Sequence, residues 1–194
     1  MYRNFFKRLF DLLLSTFSCL VLIPFFILIY IFVKLDSKGK FFFFQQRLGR
    51  NGQLFDVFKI RTMTDKPRKT TQEILEGNSE VTKVGVLLRR FKIDELPQII
   101  NVLKGDMSFI GPRPCMPALL EKFNEDARKR LEIRPGLTGM AQTNGNIYLT
   151  WEERWKYDRY YVDNISFLLD MKIFVKTFSI LFKGEKEFLK KPNV

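Results

Sequence analysis

The most prominent feature of the hydropathy pattern is an apolar run near the start of the chain. Residues 12–33, "LLLSTFSCLVLIPFFILIYIFV", include 22 positions without a charge. As one helix the run would be about 33 Å long, enough to cross a bilayer. Pro24 lies near its middle, where proline kinks or breaks a helix. Basic residues flank both ends, and such flanks prefer the cytoplasmic side. Two alternatives stay open: a kinked single crossing, and a re-entrant segment that turns at Pro24 and returns.

A β-hairpin is predicted directly after the apolar run. Asn51-Gly52 is a strong turn signal, and it lies between two β-prone stretches. In the second strand, Lys59 and Arg61 point to one face, because side chains alternate along a strand. That face is either a solvated edge or a site for phosphate. The polar segment 64–81, which contains proline and glycine, is predicted to be a surface loop.

Helical patterns follow over residues 83–92 and 97–104. Pro97 fits the first turn of the second helix, and Gly105 fits the position just past its end. From residue 117 to residue 131, apolar side chains recur at helical spacing and predict one amphipathic helix.

Two further helices are predicted towards the end of the chain. Thr150 and Glu153 form a capping box ahead of a segment rich in tryptophan and tyrosine, which suits either a membrane interface or a core. Residues 167–182 are apolar apart from a narrow basic face and are followed by Gly184. This helix either lies in the bilayer interface, with its lysines towards the headgroups, or is buried with a thin wet edge. The lysines of that face are Lys172, Lys176 and Lys183.

Composition narrows the chemistry that these elements can carry. The net charge is +12 from 33 basic and 21 acidic residues, which indicates an anionic partner such as lipid, nucleic acid or a phosphorylated ligand. The chain has no histidine, which excludes serine–histidine and cysteine–histidine nucleophile systems and histidine-ligated metals. Its two cysteines form no CxxC pair, so a disulfide framework or zinc site is not expected.

One pair of adjacent carboxylates stands out in this basic chain. Asp94 and Glu95 come directly before the helix that Pro97 starts, and acidic residues at a helix start often only stabilise the helix. The neighbouring residues favour chemistry instead. Arg89 precedes the pair, while two loops stiffened by glycine and proline present Arg113 and Arg134. Such arginines suit bidentate phosphate binding, and a carboxylate near them is expected to keep a low pKa and to act as nucleophile or Mg²⁺ ligand. The residues therefore indicate phosphoryl chemistry on a diphosphate at a membrane surface.

Four stretches carry a resemblance to a known family. They are "FKIRTM", "LRRFKIDELPQIINVLKGDMSFIGPRP", "RPGLTGMAQTNG" and "WKYDRYYVDNISFLLDMKI". The chain resembles the bacterial sugar transferases that initiate glycoconjugate assembly, and within them the small monotopic phosphoglycosyl transferases. The resemblance implies an α+β, mostly helical fold with a membrane helix broken and re-entrant at Pro24, a small β-hairpin and amphipathic interfacial helices. It implies an anchor over residues 1–36 and a catalytic domain over 37–194, on the cytoplasmic face of the bacterial inner membrane.

The resemblance also implies a reaction. A sugar-1-phosphate passes from a nucleoside diphosphate sugar, expected to be a UDP-sugar, to polyprenol (undecaprenyl) phosphate. Asp94 is the expected nucleophile, and Glu95 assists through Mg²⁺, which both carboxylates are expected to bind. Pattern and resemblance together give these candidates for substrate and phosphate binding: Lys59, Arg61, Arg89, Arg113, Arg134, Gln142 and Asp158. Nucleic acid is not an expected partner, membrane lipids are, and the oligomeric state stays open.

Two positions depart from the family pattern. Ile23 stands before Pro24 where the family often has serine, and Asn146-Ile147 follows "AQTNG" where relatives commonly continue with Arg-Asn. The second departure points to a donor sugar different from theirs. Two alternative functions remain: a glycosyl transferase that releases nucleoside diphosphate, and a basic membrane-bound binding module without catalysis.

Overall fold

The structure is a computed structural model that describes residues 1–64 and 80–183. A π-helical turn, Tyr2–Phe6, leads into α1, Lys7–Asp36. The helix assignment runs through Pro24 without interruption, so the predicted break at that residue stays a prediction. By length and composition, Tyr2–Asp36 is a helix that can cross a membrane, and only 11% of its most apolar window is buried.

Both ends of α1 contact the rest of the protein. Near its start, Arg8 donates to the carbonyls of Val102 and Leu103 at 2.6 and 2.9 Å. At its end, the Asp36 carboxylate accepts from the Val84 amide at 2.8 Å. Between these contacts, large apolar side chains such as Phe17, Leu20, Ile23 and Phe25 are exposed. The exposed apolar part of α1 therefore lies between two positions, Arg8 and Asp36, that both bind the rest of the protein.

The predicted hairpin is confirmed. Strands β1, Phe42–Leu48, and β2, Leu54–Ile60, pair in antiparallel register from Phe42 opposite Ile60 to Leu48 opposite Leu54. The Asn51-Gly52 turn has positive φ at both residues, 57° and 74°, as the sequence signal requires. Lys59 is half-buried on β2, and Val57 and Ile60 on either side of it belong to the core.

Two helices carry the segment around the carboxylate pair. Helix α2, Lys83–Arg90, begins at Thr82, whose hydroxyl accepts from the Gly85 amide. Helix α3, Gln98–Lys104, begins after Pro97 and ends at Gly105 with φ of 95°. Proline and glycine thus delimit α3 as predicted. Most of the predicted 64–81 loop lies outside the described residues.

A short parallel sheet was not predicted. Strands β3, Ser108–Ile110, and β4, Gly136–Thr138, pair side by side. Strand β3 leads into the loop that carries Arg113, and β4 directly follows Arg134 and Pro135, so the pairing brings the two glycine- and proline-rich segments together.

The single amphipathic helix predicted from residue 117 to residue 131 is wrong. The segment forms a 3₁₀ helix, Pro117–Lys122, then α4, Glu125–Lys129, and a further 3₁₀ turn, Arg130–Glu132. The chain is extended at Phe123, and the side chain of Asn124 caps the new helix by accepting from the Ala127 amide. An asparagine whose side chain accepts from the amide three residues later favours a helix start over a helix interior.

The remaining helices are α5, Met140–Thr143, α6, Trp151–Asp163, and α7, Phe167–Lys183. The predicted capping box of α6 is present, with both reciprocal bonds made. Trp155 and Tyr161 are core residues, 4% and 1% exposed, whereas Trp151 and Tyr160 are 39% and 52% exposed, so the aromatics divide between the two interpretations. Gly184, the predicted end of α7, lies outside the described residues.

Helix α7 is attached to the domain along one side only. Its Asp170 is buried and accepts from Tyr2, Lys7 and Tyr161, each at 2.6 Å. Its other side exposes a row of large apolar side chains: Phe167, Leu168, Met171, Val175, Phe178 and Leu181. The predicted basic face is divided, because Lys172 is exposed while Lys176 donates to Asn144 at 2.7 Å.

Candidate active site

The carboxylate pair occupies a 3₁₀ turn, Ile93–Glu95, between α2 and α3. Lys92 introduces this turn with a positive φ of 54°, a conformation that is uncommon outside glycine. Neither the turn nor α3 has a side-chain capping hydrogen bond. The pair therefore makes no capping hydrogen bond, and the alternative that its charge stabilises the helix start stays a prediction.

Two cations from separate elements meet at Glu95. Its Oε1 accepts from Lys59 Nζ at 2.8 Å and from Arg113 Nη2 at 2.6 Å. Lys59 comes from β2, and Arg113 comes from the "GPRP" loop after β3. Burial opposes ionisation of Glu95, but the Arg113 and Lys59 charges outweigh it and hold the pKa of Glu95 well below its usual range.

Asp94 has a different environment from its neighbour. Within residues 1–64 and 80–183, its carboxylate makes no ion pair. Burial raises the pKa of Asp94, the Glu95 charge raises it further, and Lys59 and Arg89 act in the opposite direction. The low pKa expected for this pair is therefore found at Glu95 and not at Asp94. Arg89 lies close enough to influence Asp94, and its Nε donates to the Thr62 hydroxyl at 2.9 Å.

The main chain of the "GPRP" loop is held at four successive carbonyls. The Gly136 amide donates to Pro112 at 2.9 Å, and the Leu48 amide donates to Cys115 at 2.9 Å. The two carbonyls between them accept from guanidinium groups. The Arg130 side chain donates to the Arg113 carbonyl, and the Arg47 side chain donates to the Pro114 carbonyl. The loop is thereby fixed from several sides, while the Arg113 side chain stays 49% exposed and reaches Glu95.

Glycines let the two loops approach backbone to backbone. A Cβ on Gly136 would lie 2.1 Å from the Gly111 nitrogen, and a Cβ on Gly139 would lie 2.1 Å from the Gly111 oxygen. Both contacts are far shorter than van der Waals distance, so only glycine fits here without displacing the loop.

Three further candidates for phosphate binding make no contact with the carboxylate pair among the described residues. The Arg61 guanidinium is buried and donates to the carbonyls of Ser37 and Lys38, just past α1. Arg134 Nε donates to the Gly105 carbonyl at 2.7 Å, at the end of α3 opposite to the carboxylate pair. Gln142 has both polar side-chain atoms buried without a partner among the described residues. Arg61 and Arg134 thus brace the fold, and their predicted roles at the substrate stay predictions.

Asp158 is buried behind the loop rather than beside the carboxylates. Its Oδ2 lies 3.3 Å from Arg130 Nη2, and both side chains are almost fully buried. Burial raises the pKa of Asp158 to about 6, against the opposing charges of Arg130 and Arg154.

Sequence reasoning missed Arg130 and Arg47. Arg130 belongs to the basic stretch "ARKRLEIR", which is typical of a solvated helix face, and only tertiary contacts distinguish it from its exposed neighbour Arg128. Arg47 follows Gln45 and Gln46 on β1 and has no signal of its own.

The residues fit a Mg²⁺ ion only in company with substrate. No cluster of three or more histidine, cysteine, aspartate or glutamate side chains exists among the described residues. Glu95 Oε1 is taken by two cations, whereas the Asp94 carboxylate is unpaired within the described part of the chain. Mg²⁺ is commonly held by one or two carboxylates plus phosphate oxygens and water, and this pair can supply the protein's share.

The chain thus joins a long apolar helix to a basic site that contains a carboxylate pair. Comparison with known families makes the class definite. The sequence model of the family described as "Bacterial sugar transferase" matches residues 2–184. The chain belongs to the bacterial sugar transferase family and is an enzyme of that class.

Characterised and uncharacterised relatives share most of this chain. It is 43% identical over 173 residues to the uncharacterized sugar transferase EpsL of Bacillus subtilis, covering 88% of this chain and 84% of the relative. It is 39% identical over 188 residues to the undecaprenyl-phosphate glucose phosphotransferase of Komagataeibacter xylinus, covering 88% and 35%. It is 35% identical over 187 residues to the UDP-N-acetylgalactosamine-undecaprenyl-phosphate N-acetylgalactosaminephosphotransferase of Aeromonas hydrophila, covering 93% and 44%. The chain therefore matches less than half of the last two.

Proposed function

We propose that this protein transfers a sugar-1-phosphate from a nucleoside diphosphate sugar to undecaprenyl phosphate through a covalent intermediate on Asp94. The names of two relatives support the substrates, because they specify undecaprenyl phosphate as acceptor and, in one case, a UDP-sugar as donor. A UDP-sugar is accordingly the proposed donor. The observation that carries the mechanism is the division of the carboxylate pair into a cation-bound Glu95 and an Asp94 without an ion pair in the described chain.

In the first step, an Asp94 oxygen attacks the phosphorus that bears the sugar. The bond from that phosphorus to the bridging oxygen breaks, and the electron pair leaves on the nucleoside monophosphate. In the second step, a phosphate oxygen of undecaprenyl phosphate attacks the same phosphorus. The Asp94–phosphorus bond breaks, which regenerates the carboxylate and gives undecaprenyl diphosphate sugar.

Cations of the site supply charge stabilisation in both steps. Lys59, Arg89 and Arg113 surround the carboxylates, and a diphosphate entering there would meet guanidinium and ammonium donors. Mg²⁺, held by Asp94 and Glu95 with the diphosphate oxygens, would neutralise charge that develops on the leaving phosphate. Burial of Asp94 limits water at the nucleophile, which disfavours hydrolysis of the intermediate.

The proposal also includes a re-entrant anchor over residues 1–36 and a catalytic domain over residues 37–194 on the cytoplasmic face. It is supported by the two ends of α1, since Arg8 and Asp36 both bind the same domain. A single crossing would place those ends on opposite membrane faces, about 30 Å apart across the hydrocarbon core. A bend at Pro24 within a continuous helix satisfies both contacts.

The reaction is tested by identifying the released nucleotide with purified protein, Mg²⁺, undecaprenyl phosphate and a panel of nucleotide sugars. We expect nucleoside monophosphate, whereas release of nucleoside diphosphate would show a glycosyl transferase instead. Asp94→Asn should abolish both turnover and labelling by a donor with radioactive sugar. The exposed Asp56→Asn is the control and should retain activity. Normal turnover by Asp94→Asn would refute the covalent mechanism.

The topology is tested with cysteines at Asn4 and Lys40, either side of the apolar run, after Cys19 and Cys115 are changed to serine. An impermeant maleimide should label both positions in inside-out vesicles and neither in right-side-out vesicles. A third cysteine at Glu121 reports the side of the catalytic domain. Labelling of the two flanks from opposite sides would establish a single crossing.

A further inference from the structure

Arg130 occupies a central place behind the active site without belonging to any motif. It lies just after α4, and its side chain is only 5% exposed. One nitrogen, Nη2, donates to the main-chain carbonyl of Arg113 and lies 3.3 Å from Asp158 Oδ2. The guanidinium also lies over the Phe123 ring, at 5.8 Å from its centroid. Arg130 therefore links α6 to the one loop residue whose side chain reaches Glu95.

Three contacts connect α6 to Glu95 in series. Asp158 holds the Arg130 guanidinium, Arg130 holds the Arg113 carbonyl, and the Arg113 guanidinium donates to Glu95 at 2.6 Å. Arg113 is the half-exposed member of the three, and the position of its main chain contributes to where its guanidinium lies. Prolines on both sides of Arg113 remove two amides that would otherwise anchor the loop. Its main chain is attached through the Gly111 amide, which donates to the Thr138 carbonyl at 2.9 Å, and through the carbonyls of residues 112–115.

We propose that Arg130 is a positioning residue for sugar-1-phosphate transfer, holding the main chain of Arg113 so that its guanidinium reaches Glu95 and the donor diphosphate, and that Asp158 holds Arg130 in turn. The kinetic consequence rests on the proposed function, whereas the effect on the loop does not. The ammonium of a lysine ends about one bond short of an arginine Nη and lacks the planar fork. Arg130→Lys therefore keeps the charge beside Asp158 but loosens the contact to the Arg113 carbonyl.

The test is a double-mutant cycle between positions 130 and 113. A hydrogen bond to a charged group contributes about 1.5 kcal/mol at the lower end, so Arg130→Lys should lower kcat/KM for the donor about tenfold. In an Arg113→Ala background the same change should cost less than about twofold, because the side chain that it positions is gone. Equal losses in both backgrounds would overturn the proposal and leave Arg130 a structural residue.

A matched control is available on the same elements. Arg159 on α6 pairs with Asp126 on α4 at 2.6 Å, at the surface and away from the "GPRP" loop. Arg159→Lys should leave kcat/KM within about twofold in both backgrounds, as expected for an exposed ion pair. If Arg130→Lys does not fold, the isosteric Asp158→Asn replaces it in the cycle and should show the same dependence on Arg113.

Hydrogen–deuterium exchange gives a readout that needs no turnover. In Arg130→Lys, amides of residues 108–116 should exchange faster than in the wild type, while those of β2 should be unchanged. Unaltered exchange of residues 108–116 would refute the positioning role. Absence of nucleoside monophosphate release from the wild type would refute the proposed function instead, and the exchange result would still decide the role of Arg130.

Discussion

Replacing Lys59 by methionine tests the division of roles between Asp94 and Glu95. The change keeps a side chain of similar length and removes one of the two cations on Glu95 Oε1, the one at 2.8 Å. The Lys59 and Glu95 side chains are each 20% exposed, so the pair is partly shielded from water. A charge-assisted hydrogen bond contributes about 1.5–3 kcal/mol when buried, and the lower figure applies at this exposure. Since about 1.4 kcal/mol is tenfold in rate, kcat/KM should fall about tenfold.

The direction in which the acid limb of the pH–rate profile moves in Lys59→Met is a second test. Lys59 lowers the pKa of Asp94, so its removal should raise that pKa further. Asp94 must be ionised to attack, and the acid limb of kcat/KM should therefore move to higher pH in Lys59→Met. The measurement is nucleoside monophosphate release across a pH series at low donor concentration.

Lys104→Met is the matched control for charge. Lys104, the last residue of α3, lies over the ring of Phe58, at 5.4 Å from the ring centroid. Phe58 directly precedes Lys59 on β2. Removal of Lys104 changes the net charge equally but touches neither carboxylate of the pair, so activity and the acid limb should stay close to wild type. The reasoning is refuted if Lys59→Met retains wild-type kcat/KM, if its acid limb moves to lower pH, or if Lys104→Met behaves in the same way.

Two further changes have equally definite outcomes. Glu95→Gln removes the neighbouring charge that raises the pKa of Asp94, so kcat should fall while the acid limb moves to lower pH, opposite to Lys59→Met. An acid limb that moves upward in a pH series would contradict this. Gly139→Ala places a Cβ 2.1 Å from the Gly111 oxygen and should lower both the melting temperature and kcat/KM by displacing the "GPRP" loop. Gly52→Ala, where the added Cβ meets open space, costs only positive-φ strain of about 1 kcal/mol and should leave kcat/KM near wild type.

Elements delimited by local chemistry were predictable from the sequence. Pro97 and Gly105 mark the ends of α3, and the Asn51-Gly52 turn has the positive φ values that its residue types favour. The Thr150–Glu153 box also formed as predicted. Each of these signals acts within a few residues, so it does not depend on the rest of the fold.

Elements decided by distant contacts were not predictable. Strands β3 and β4 have three residues each, too few for alternation to show, and they pair across a separation of 28 positions in the chain. The break at Asn124 was missed because apolar spacing continues on both sides of it, although asparagine is a favoured helix-capping residue. The candidate nucleophile could be named from its motif, but the unequal pKa shifts of Asp94 and Glu95 depend on cations supplied by β2 and the "GPRP" loop.

The unequal environments of the two carboxylates also bear on how the basic site binds an anionic donor. Before the donor binds, Arg113 and Lys59 both pair with Glu95, which offsets one of their two positive charges. Arg113 is 49% exposed, and an ion pair with that exposure contributes only about 0.2–1 kcal/mol. Exchanging Glu95 for a diphosphate oxygen therefore costs little, while the fixed main chain keeps the guanidinium within reach. An acidic neighbour that binds these two side chains leaves Asp94 without an ion pair in the described chain, which is a physical reason for placing two carboxylates side by side.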